Sequence, residues 1–238
     1  MSLVLSRISH VPGCQLWLAD LDQPCGEALR ATLTPDETAR AARFVFETDR
    51  RRFVTARCAL RQVLSMQTGT PAAALRFDYG PSGKPTLAAH PDCVFNLSHS
   101  GGTALIGVLP PATGAHGAHW VGVDIEQLRG MPGMQSIADM SFHADDAARL
   151  GDQPDPALAF LHGWTRREAC LKALGLGLPE LTELPATGLG HEPLNFVLSR
   201  ADGDFSLGVS SFRIGADLVG SLALGARLHS RLPMEARR

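Results

Sequence analysis

Residues 164–178, WTRREACLKALGLGL, decide the fold, because they predict a well-bounded helix with a carboxylate in its middle. Upstream, Asp155 followed by Pro156 is typical of an N-cap and a first helical position. Downstream, Gly175, Gly177 and Pro179 predict the end of the helix, since glycine adopts the left-handed C-cap conformation without strain and proline does not continue a helix. The sequence therefore predicts a helix of about five turns around Glu168.

Glu168 occupies an unusual position in this helix. At about 100° per residue, Leu161, Trp164 and Leu171 fall within roughly 60° of Glu168, so its carboxylate faces inward with an apolar stripe. A buried charge costs several kcal/mol unless something neutralises it. Lys172, one turn further on, is one candidate partner, and a metal ion is another.

Composition limits the classes of function. With 238 residues, of which 45% are hydrophobic, the chain can form one large domain or two small ones. With a net charge of −2, the protein has no overall positive potential that would attract nucleic acid or an anionic membrane. Five scattered cysteines without a CxxC pair favour a reducing cytosol. No apolar run reaches the length of a secretory or membrane-spanning segment, so we expect a soluble, cytoplasmic protein.

Hydrophobic patterning predicts an α+β protein with two similar halves. Each half has a strand, then helices, then two or three antiparallel strands, joined by a Gly-, Ala- and Pro-rich linker at 110–118. We expect an N-terminal half at 1–115 and a C-terminal half at 116–238. The predicted strands are 14–21, 75–79, 94–97, 103–109, 120–126, 194–199, 205–212 and 218–224. The predicted helices are about 34–44, 48–67, 134–150 with a break near 141–143, and one that begins at 155–156 and is stopped within 175–179.

A polar connection follows the strand at 94–97. The residues Ser98-His99-Ser100-Gly101-Gly102 predict a hairpin loop, and such a loop is either a bare turn or a cradle for a phosphate. The first half is also rich in arginine, which indicates either a solvated helix face or a local anion site. Arg57 is the arginine least easily assigned to solvent, because it lies close to an apolar helix face.

The strand WVGVDIE at 120–126 carries two more acids. Alternation puts its valines and isoleucine on the core side and both Asp124 and Glu126 on the opposite face, unless that face is simply solvated. Two carboxylates on a strand and one on a helix suit a hard cation such as Mg²⁺. Mg²⁺ held by carboxylates usually serves phosphoryl-group chemistry. Composition and spacing indicate no more than Mg²⁺ and a phosphorylated ligand.

Four motifs in order resemble one enzyme family, the 4′-phosphopantetheinyl transferases of the surfactin-synthetase type. The resemblance covers most of the chain to about residue 178. The motifs are GKP at 83–85, FNLSHS at 95–100, VGVDIE at 121–126, and WTRREA at 164–169 with Lys172. The family resemblance implies a pseudo-twofold α+β monomer that binds coenzyme A between its halves. It also implies that a serine of an apo carrier protein takes the phosphopantetheine arm of coenzyme A, releasing adenosine 3′,5′-bisphosphate.

The resemblance also implies roles for the acids and for Lys172. Asp124, Glu126 and Glu168 match the Mg²⁺ ligands, and Asp124 and Glu168 also count among the catalytic residues. Glu168 matches the base that deprotonates the serine, directly or through a metal-bound water. Lys172 matches the lysine that contacts the pyrophosphate and assists the leaving group.

For coenzyme A, the resemblance implies a set of nucleotide contacts. Lys84, Ser98 and His99 match positions that hold the nucleotide and its 3′-phosphate. Arg40 and Arg52 fall where basic residues contact the adenylate end.

Two positions depart from the family pattern. Glu37 lies where the prototype carries a phosphate-binding lysine, so either the arginines substitute for it or the contact is missing. The Phe-x-x-x-Glu pattern occurs as FHADD at 142–146, with Asp146 in place of glutamate, and we expect little effect from this change.

Two other classes of function compete with the transferase. One is an Mg²⁺-dependent phosphodiesterase that uses water as nucleophile on a nucleotide. The other is a non-catalytic module that binds coenzyme A, although such a module would not need all three acids. The sequence does not identify the carrier protein, but the arginine-rich first half predicts attraction to an acidic one.

Overall fold

The computed structural model describes residues 3–8, 14–109 and 119–228 as an α+β protein with two four-stranded antiparallel sheets. Within these residues, no helix is both long and apolar enough to cross a membrane. The predicted linker at 110–118, and with it the boundary between 115 and 116, lies outside the described residues.

The first sheet has the strand order β1-β2-β6-β5. Helix α3 covers it, packing Ala56, Leu60 and Val63 against the buried strand residues Phe95 and Ile106. The elements of this half are β1 (Leu5–Ile8), β2 (Gln15–Asp20), α1 (Glu27–Arg30), α2 (Pro35–Ala41), α3 (Glu47–Thr68), β3 (Phe77–Tyr79), β4 (Pro85–Leu87), β5 (Val94–Ser100) and β6 (Thr103–Leu109). Strands β3 and β4 form a separate two-stranded ribbon.

The second sheet has the order β7-β10-β9-β8. Helix α6 packs on it and buries Ala169, Leu171 and Ala173 against Leu207 and Val209. The elements are β7 (Trp120–Gln127), α4 (Met134–Ser141), α5 (Ala144–Arg149), α6 (Pro156–Leu174), β8 (Leu194–Arg200), β9 (Gly203–Ile214) and β10 (Leu218–Arg227).

The predicted caps of the central helix are confirmed. The Asp155 carboxylate accepts a hydrogen bond from the Leu158 amide (3.0 Å), and Gly175 ends α6 in the left-handed conformation with φ of 71°. The capping box of α2 is also present, with Thr34 as N-cap and Glu37 closing it. Local chemistry therefore accounts for where these helices begin and end.

Both halves share one pattern of strand connections. In each half the first long strand pairs with the last one, which in turn pairs with its predecessor: β2-β6-β5 and β7-β10-β9. This common order agrees with the expectation of two similar α+β units. The expected pseudo-twofold relation between them stays a prediction.

The two sheets meet along β7. Its residues Val121, Val123 and Ile125 are fully buried in an apolar cluster with Leu16 and Leu105 of the first sheet. The opposite face of β7 lies under α6, so β7 is buried on both faces rather than on one. This position buries Asp124, whereas Glu126, near the end of the strand, stays partly exposed.

The predicted polar loop at 98–102 is wrong in its extent. Strand β5 continues to Ser100, and only Gly101 and Gly102 form the turn into β6. The physical reason is that Ser98 and Ser100 find hydrogen-bond partners on β7, so their polarity does not require a loop.

Candidate active site

A close approach of α6 to β7 brings the three predicted acids into one region. Asp124 and Glu126 project from β7, and Glu168 projects from α6. Gly122 makes the approach possible, because a Cβ at this position would collide with backbone atoms of Ala169 and Ala173. Lys172 Nζ lies 2.6 Å from Asp124 Oδ1 and 3.8 Å from Glu168 Oε2, so these two acids share one ammonium group.

Asp124 is the best-connected of these acids. Its side chain is 5% exposed, and its Oδ1 accepts hydrogen bonds from Ser98 Oγ (2.7 Å) and Lys172 Nζ (2.6 Å). Its buried Oδ2 has no hydrogen-bond partner among the described residues. One oxygen of this carboxylate is therefore paired, and the other has no partner in the described part of the chain.

Glu126 is held by the first half of the chain. Its Oε2 accepts a hydrogen bond from Ser100 Oγ at 2.7 Å. Burial raises the pKa of Glu126, and the charge of Asp124 raises it further, although the bond from Ser100 opposes both effects.

Glu168 faces inward as the helical pattern predicts, with 14% of its side chain exposed. Its Oε2 lies 3.8 Å from Lys172 Nζ, and its buried Oε1 has no partner in the described part of the chain. Burial raises the pKa of Glu168 although the nearby charge of Lys172 opposes the shift. A raised pKa makes a carboxylate a stronger base, which favours the uptake of a proton.

The donor set fits a magnesium ion in its chemistry. In residues 3–8, 14–109 and 119–228, no three His, Cys, Asp or Glu side chains converge as a ready metal site. Two buried carboxylate oxygens, one on Asp124 and one on Glu168, nevertheless lack a partner, and a buried charged oxygen without one is costly. A hard cation that prefers oxygen ligands would satisfy both of them.

Arg52 and His99 line the same cavity, whose volume is about 220 Å³. Arg52 makes two hydrogen bonds to Asp22, from Nε (2.8 Å) and Nη2 (3.1 Å). Partial burial lowers the pKa of His99, and the charges of Lys172 and Arg52 lower it further. The structure thus brings together two of the predicted nucleotide contacts.

Arg40 lines an adjacent cavity of about 290 Å³, together with Arg43, Arg76 and Tyr79. Its guanidinium lies over the Phe53 ring, with Cζ 5.5 Å from the ring centroid. Phe53 lines both cavities, so one aromatic side chain borders the cavity of Arg40 and that of Arg52.

The departure at Glu37 has a structural explanation. Its carboxylate is 5% exposed and accepts hydrogen bonds from Arg57 Nε (2.6 Å) and Arg61 Nε (2.9 Å). Both guanidiniums also lie against the Phe77 ring. Glu37 is therefore the counterion of two arginines, and a lysine there would add a third positive charge.

Two other predicted nucleotide contacts, Ser98 and Lys84, are hydrogen-bonded to groups within the protein. Ser98 is buried between Asp124 and Lys172, to which it is hydrogen-bonded. Lys84 donates to three backbone carbonyls. Their predicted contacts with the nucleotide stay predictions.

Sequence reasoning missed the anchors between β5 and β7. Asn96 Oδ1 accepts the Val123 amide at 2.9 Å, two residues before Ser98 in the same strand. Asn96, Ser98 and Ser100 alternate along β5, and this period of two was the available signal of a polar strand face.

Two arginines of α6 bind the segment 181–192. Arg166 and Arg167 are almost completely buried, and their guanidiniums donate to carbonyls of the segment 181–192. Asp146 accepts the amides of Thr187 (2.9 Å) and Gly188 (3.1 Å) of the same segment. Asp146 is thus a buried anchor for this segment.

Comparison with known proteins gives matches along both halves. The family model described as 4'-phosphopantetheinyl transferase, N-terminal, matches residues 23–108, and that of the 4'-phosphopantetheinyl transferase superfamily matches residues 120–207. The 4'-phosphopantetheinyl transferase HetI of Nostoc sp. (strain PCC 7120) is 37% identical over 185 residues, 75% of each chain. The 4'-phosphopantetheinyl transferase Sfp of Bacillus subtilis (strain 168) is 28% identical over 160 residues, 66% of this chain and 67% of the relative.

Proposed function

The chain belongs to the 4′-phosphopantetheinyl transferase superfamily, and on that premise we propose that it transfers the 4′-phosphopantetheine group of coenzyme A to a serine of an apo acyl or peptidyl carrier protein. Adenosine 3′,5′-bisphosphate leaves in this reaction. The observation that carries the proposal is the contact of Lys172 with both Asp124 and Glu168, whose carboxylates each keep one buried oxygen without a partner among the described residues.

Glu168 is the proposed base. Its unpartnered Oε1 and its raised pKa support transfer of a proton from the carrier serine to this carboxylate, either directly or through water. The serine oxygen then bonds to the phosphorus that carries the pantetheine arm, while the bond from this phosphorus to the bridging oxygen breaks. The electron pair of that bond leaves with adenosine 3′,5′-bisphosphate.

Lys172 supplies positive charge for the leaving group. Its ammonium bonds to Asp124 and Ser98, which fixes its position beside the acids. We propose that Asp124, Glu126 and Glu168 hold Mg²⁺, which would neutralise charge on the pyrophosphate when bound. Lys172 then directs its charge to the pyrophosphate, where negative charge develops as the bond breaks.

The nucleotide end of coenzyme A is proposed to bind across the two arginine-lined cavities. Arg52 and His99 share one cavity, and Arg40 lines the other, with Phe53 between them. Arginine suits phosphate because its guanidinium carries five N–H donors, and Arg52 uses only two of them on Asp22. Ser98 contributes indirectly, by holding Asp124 and Lys172.

Transfer is tested with the purified chain, coenzyme A, MgCl₂ and several apo carrier proteins. We expect the mass of a carrier to increase by one phosphopantetheine group. Asp124→Ala and Glu168→Ala should abolish the increase, whereas Glu192→Ala, which removes an exposed carboxylate, should leave it unchanged. Chelation of the metal should stop the reaction, and added Mg²⁺ should restore it.

Three outcomes would contradict the proposal. Phosphopantetheine released from coenzyme A without a carrier would indicate a phosphodiesterase. Calorimetric binding of coenzyme A without any Mg²⁺-dependent product would indicate a binding module. Normal turnover by Glu168→Ala would refute the assignment of the base.

The physiological partner is proposed to be an acidic carrier protein, encountered by a cytoplasmic monomer. Support for the monomer comes from the site itself, because Ser98 and Asp124 come from different halves of one chain. All five cysteines are free thiols, as a reducing compartment favours. Gel filtration tests the monomer, and the salt dependence of KM for the carrier tests charge attraction.

A further inference from the structure

Lys84 is held by carbonyl groups of two separate elements. Its Nζ donates to the carbonyls of Val121 on β7 (3.1 Å), Lys172 (2.5 Å) and Ala173 (3.0 Å) on α6. An ammonium group has three donors, so every donor is used within the protein. Lys84 therefore has no N–H left for a phosphate in this arrangement.

These contacts lie at the C-terminal end of α6, where helical carbonyls lack intrahelical partners. The Leu171 carbonyl is satisfied by the amide of Leu176 (2.9 Å). Lys84 caps the next two carbonyls, and Ser82 Oγ donates to the carbonyl of Gly175 at 2.6 Å. The positive charge of Lys84 also complements the negative end of the helix dipole.

The turn at 80–84 is built to present these two caps. The Gly80 amide donates to the Lys84 carbonyl (3.0 Å), and the Gly83 amide donates to the Gly80 carbonyl (2.9 Å). Gly83 has φ of 77°, which a residue with a side chain adopts only with strain. The turn belongs to the first half of the chain, whereas the carbonyls that it caps belong to the second.

The capped turn of α6 is the one that carries Lys172 into the site. Lys84 Nζ donates to the backbone carbonyl of Lys172, and the side chain of Lys172 reaches Asp124 Oδ1 at 2.6 Å. Lys84 also holds β7 at Val121, three residues before Asp124. One ammonium thus fixes both elements whose separation determines the contact between Lys172 and Asp124.

The composition of the chain agrees with a special need for lysine here. Among 22 basic residues only two are lysines, Lys84 and Lys172, and the other positions carry arginine. An ammonium is a compact point charge on a flexible stem, which suits three converging carbonyls better than a planar guanidinium.

We propose that Lys84 is a positioning residue that fixes the end of α6 against β7 and so keeps Lys172 on Asp124. Lys84 then acts on the rate of transfer and not on the affinity for coenzyme A. This inference rests on the proposed transferase function for its effect on rate, but the clamp itself is a property of the fold.

The kinetic test compares Lys84→Met with Ser82→Ala, which removes the neighbouring cap. We expect Lys84→Met to lower kcat by about 10- to 100-fold, with KM for coenzyme A changed by less than about threefold. Ser82→Ala should lower kcat by a smaller factor in the same direction. Thr86→Ala, which alters an exposed side chain two residues beyond Lys84, should match the wild type. A raised KM with unchanged kcat in Lys84→Met would overturn the inference in favour of a ligand contact.

Amide hydrogen exchange gives a readout that does not depend on activity. We expect exchange at Gly175 and Leu176, whose amides bond to the last turn of α6, to accelerate in Lys84→Met and in Ser82→Ala. Wild-type exchange in both variants would refute the clamp. A wild-type protein that transfers nothing would refute the proposed function instead, so the two failures are distinguishable.

Discussion

Replacing Glu37 with alanine should unfold the protein at a markedly lower temperature. The carboxylate neutralises Arg61, whose side chain is completely buried, and it also bonds to the partly exposed Arg57. Removing one partner from a buried ion pair costs about 3–5 kcal/mol, because the other charge remains buried. Glu37 Oε2 also accepts the amide of Thr34 (2.9 Å), and loss of this cap costs about 1 kcal/mol more.

Thermal unfolding followed by circular dichroism measures this loss. At about 2–4 °C per kcal/mol for a chain of this size, Glu37→Ala should lower Tm by roughly 10–20 °C. Adding Arg61→Met to Glu37→Ala should recover much of the loss, since the unpaired charge is then gone. A Tm for Glu37→Ala within about 3 °C of the wild type, or no recovery in the double variant, would refute the reasoning.

The pH dependence of the same variant has a defined sign. Burial alone would raise the pKa of Glu37, but the hydrogen bond from Arg61 and the charge of Arg57 outweigh it and lower the pKa. The stabilisation is therefore fully present above the ordinary carboxyl pKa and is lost as the pH falls through the lowered one. The difference in Tm between the wild type and Glu37→Ala should shrink in acid.

Two further predictions concern close contacts. Gly122→Ala should push α6 away from β7, because the new methyl group collides with the backbone of Ala169. Thermal unfolding should show a loss of about 2–3 kcal/mol of stability, and the transfer assay a fall of about 100-fold in kcat. At Gly190 an added Cβ meets open space, so Gly190→Ala should match the wild type in both measurements. A hydrogen bond from Cys58 lowers the pKa of Cys25 to about 7, so alkylation of Cys25 should accelerate as the pH rises through about 7. Peptide mass spectrometry should find this rise at higher pH in Cys58→Ala, and an unchanged profile would contradict the assignment.

Local signals predicted the frame of the site. The N-cap at Asp155 and the glycine at 175 fixed both ends of α6, and the helical period put Glu168 inside. These features depend on residues within a few positions of one another, so a short stretch of sequence is enough to predict them. Their agreement with the structure follows from backbone hydrogen bonding at helix ends.

Contacts between distant segments were not predictable in the same way. Ser98 and Ser100 indicated a loop because their partners, Asp124 and Glu126, lie 26 residues further along the chain. Likewise, the sequence singled out only Arg57 among the arginines of α3, by its apolar neighbours, and did not indicate that Arg61 is completely buried. The carboxylate partner of Arg57, Glu37, lies on a different helix. Pairing of this kind depends on tertiary packing, which no short window of sequence contains.

The apolar contact between the halves and the polar site are two faces of one strand. On one face of β7, Val123 packs into the cluster that joins the two sheets, while on the other Asp124 meets Lys172. A strand alternates its side chains, so any shift of the first sheet along β7 would displace both sets together. Ser98 would then leave Asp124 as the apolar contact slides. Packing between the halves therefore sets the geometry of the acids, and a substitution in that apolar cluster should impair transfer without touching a charged residue.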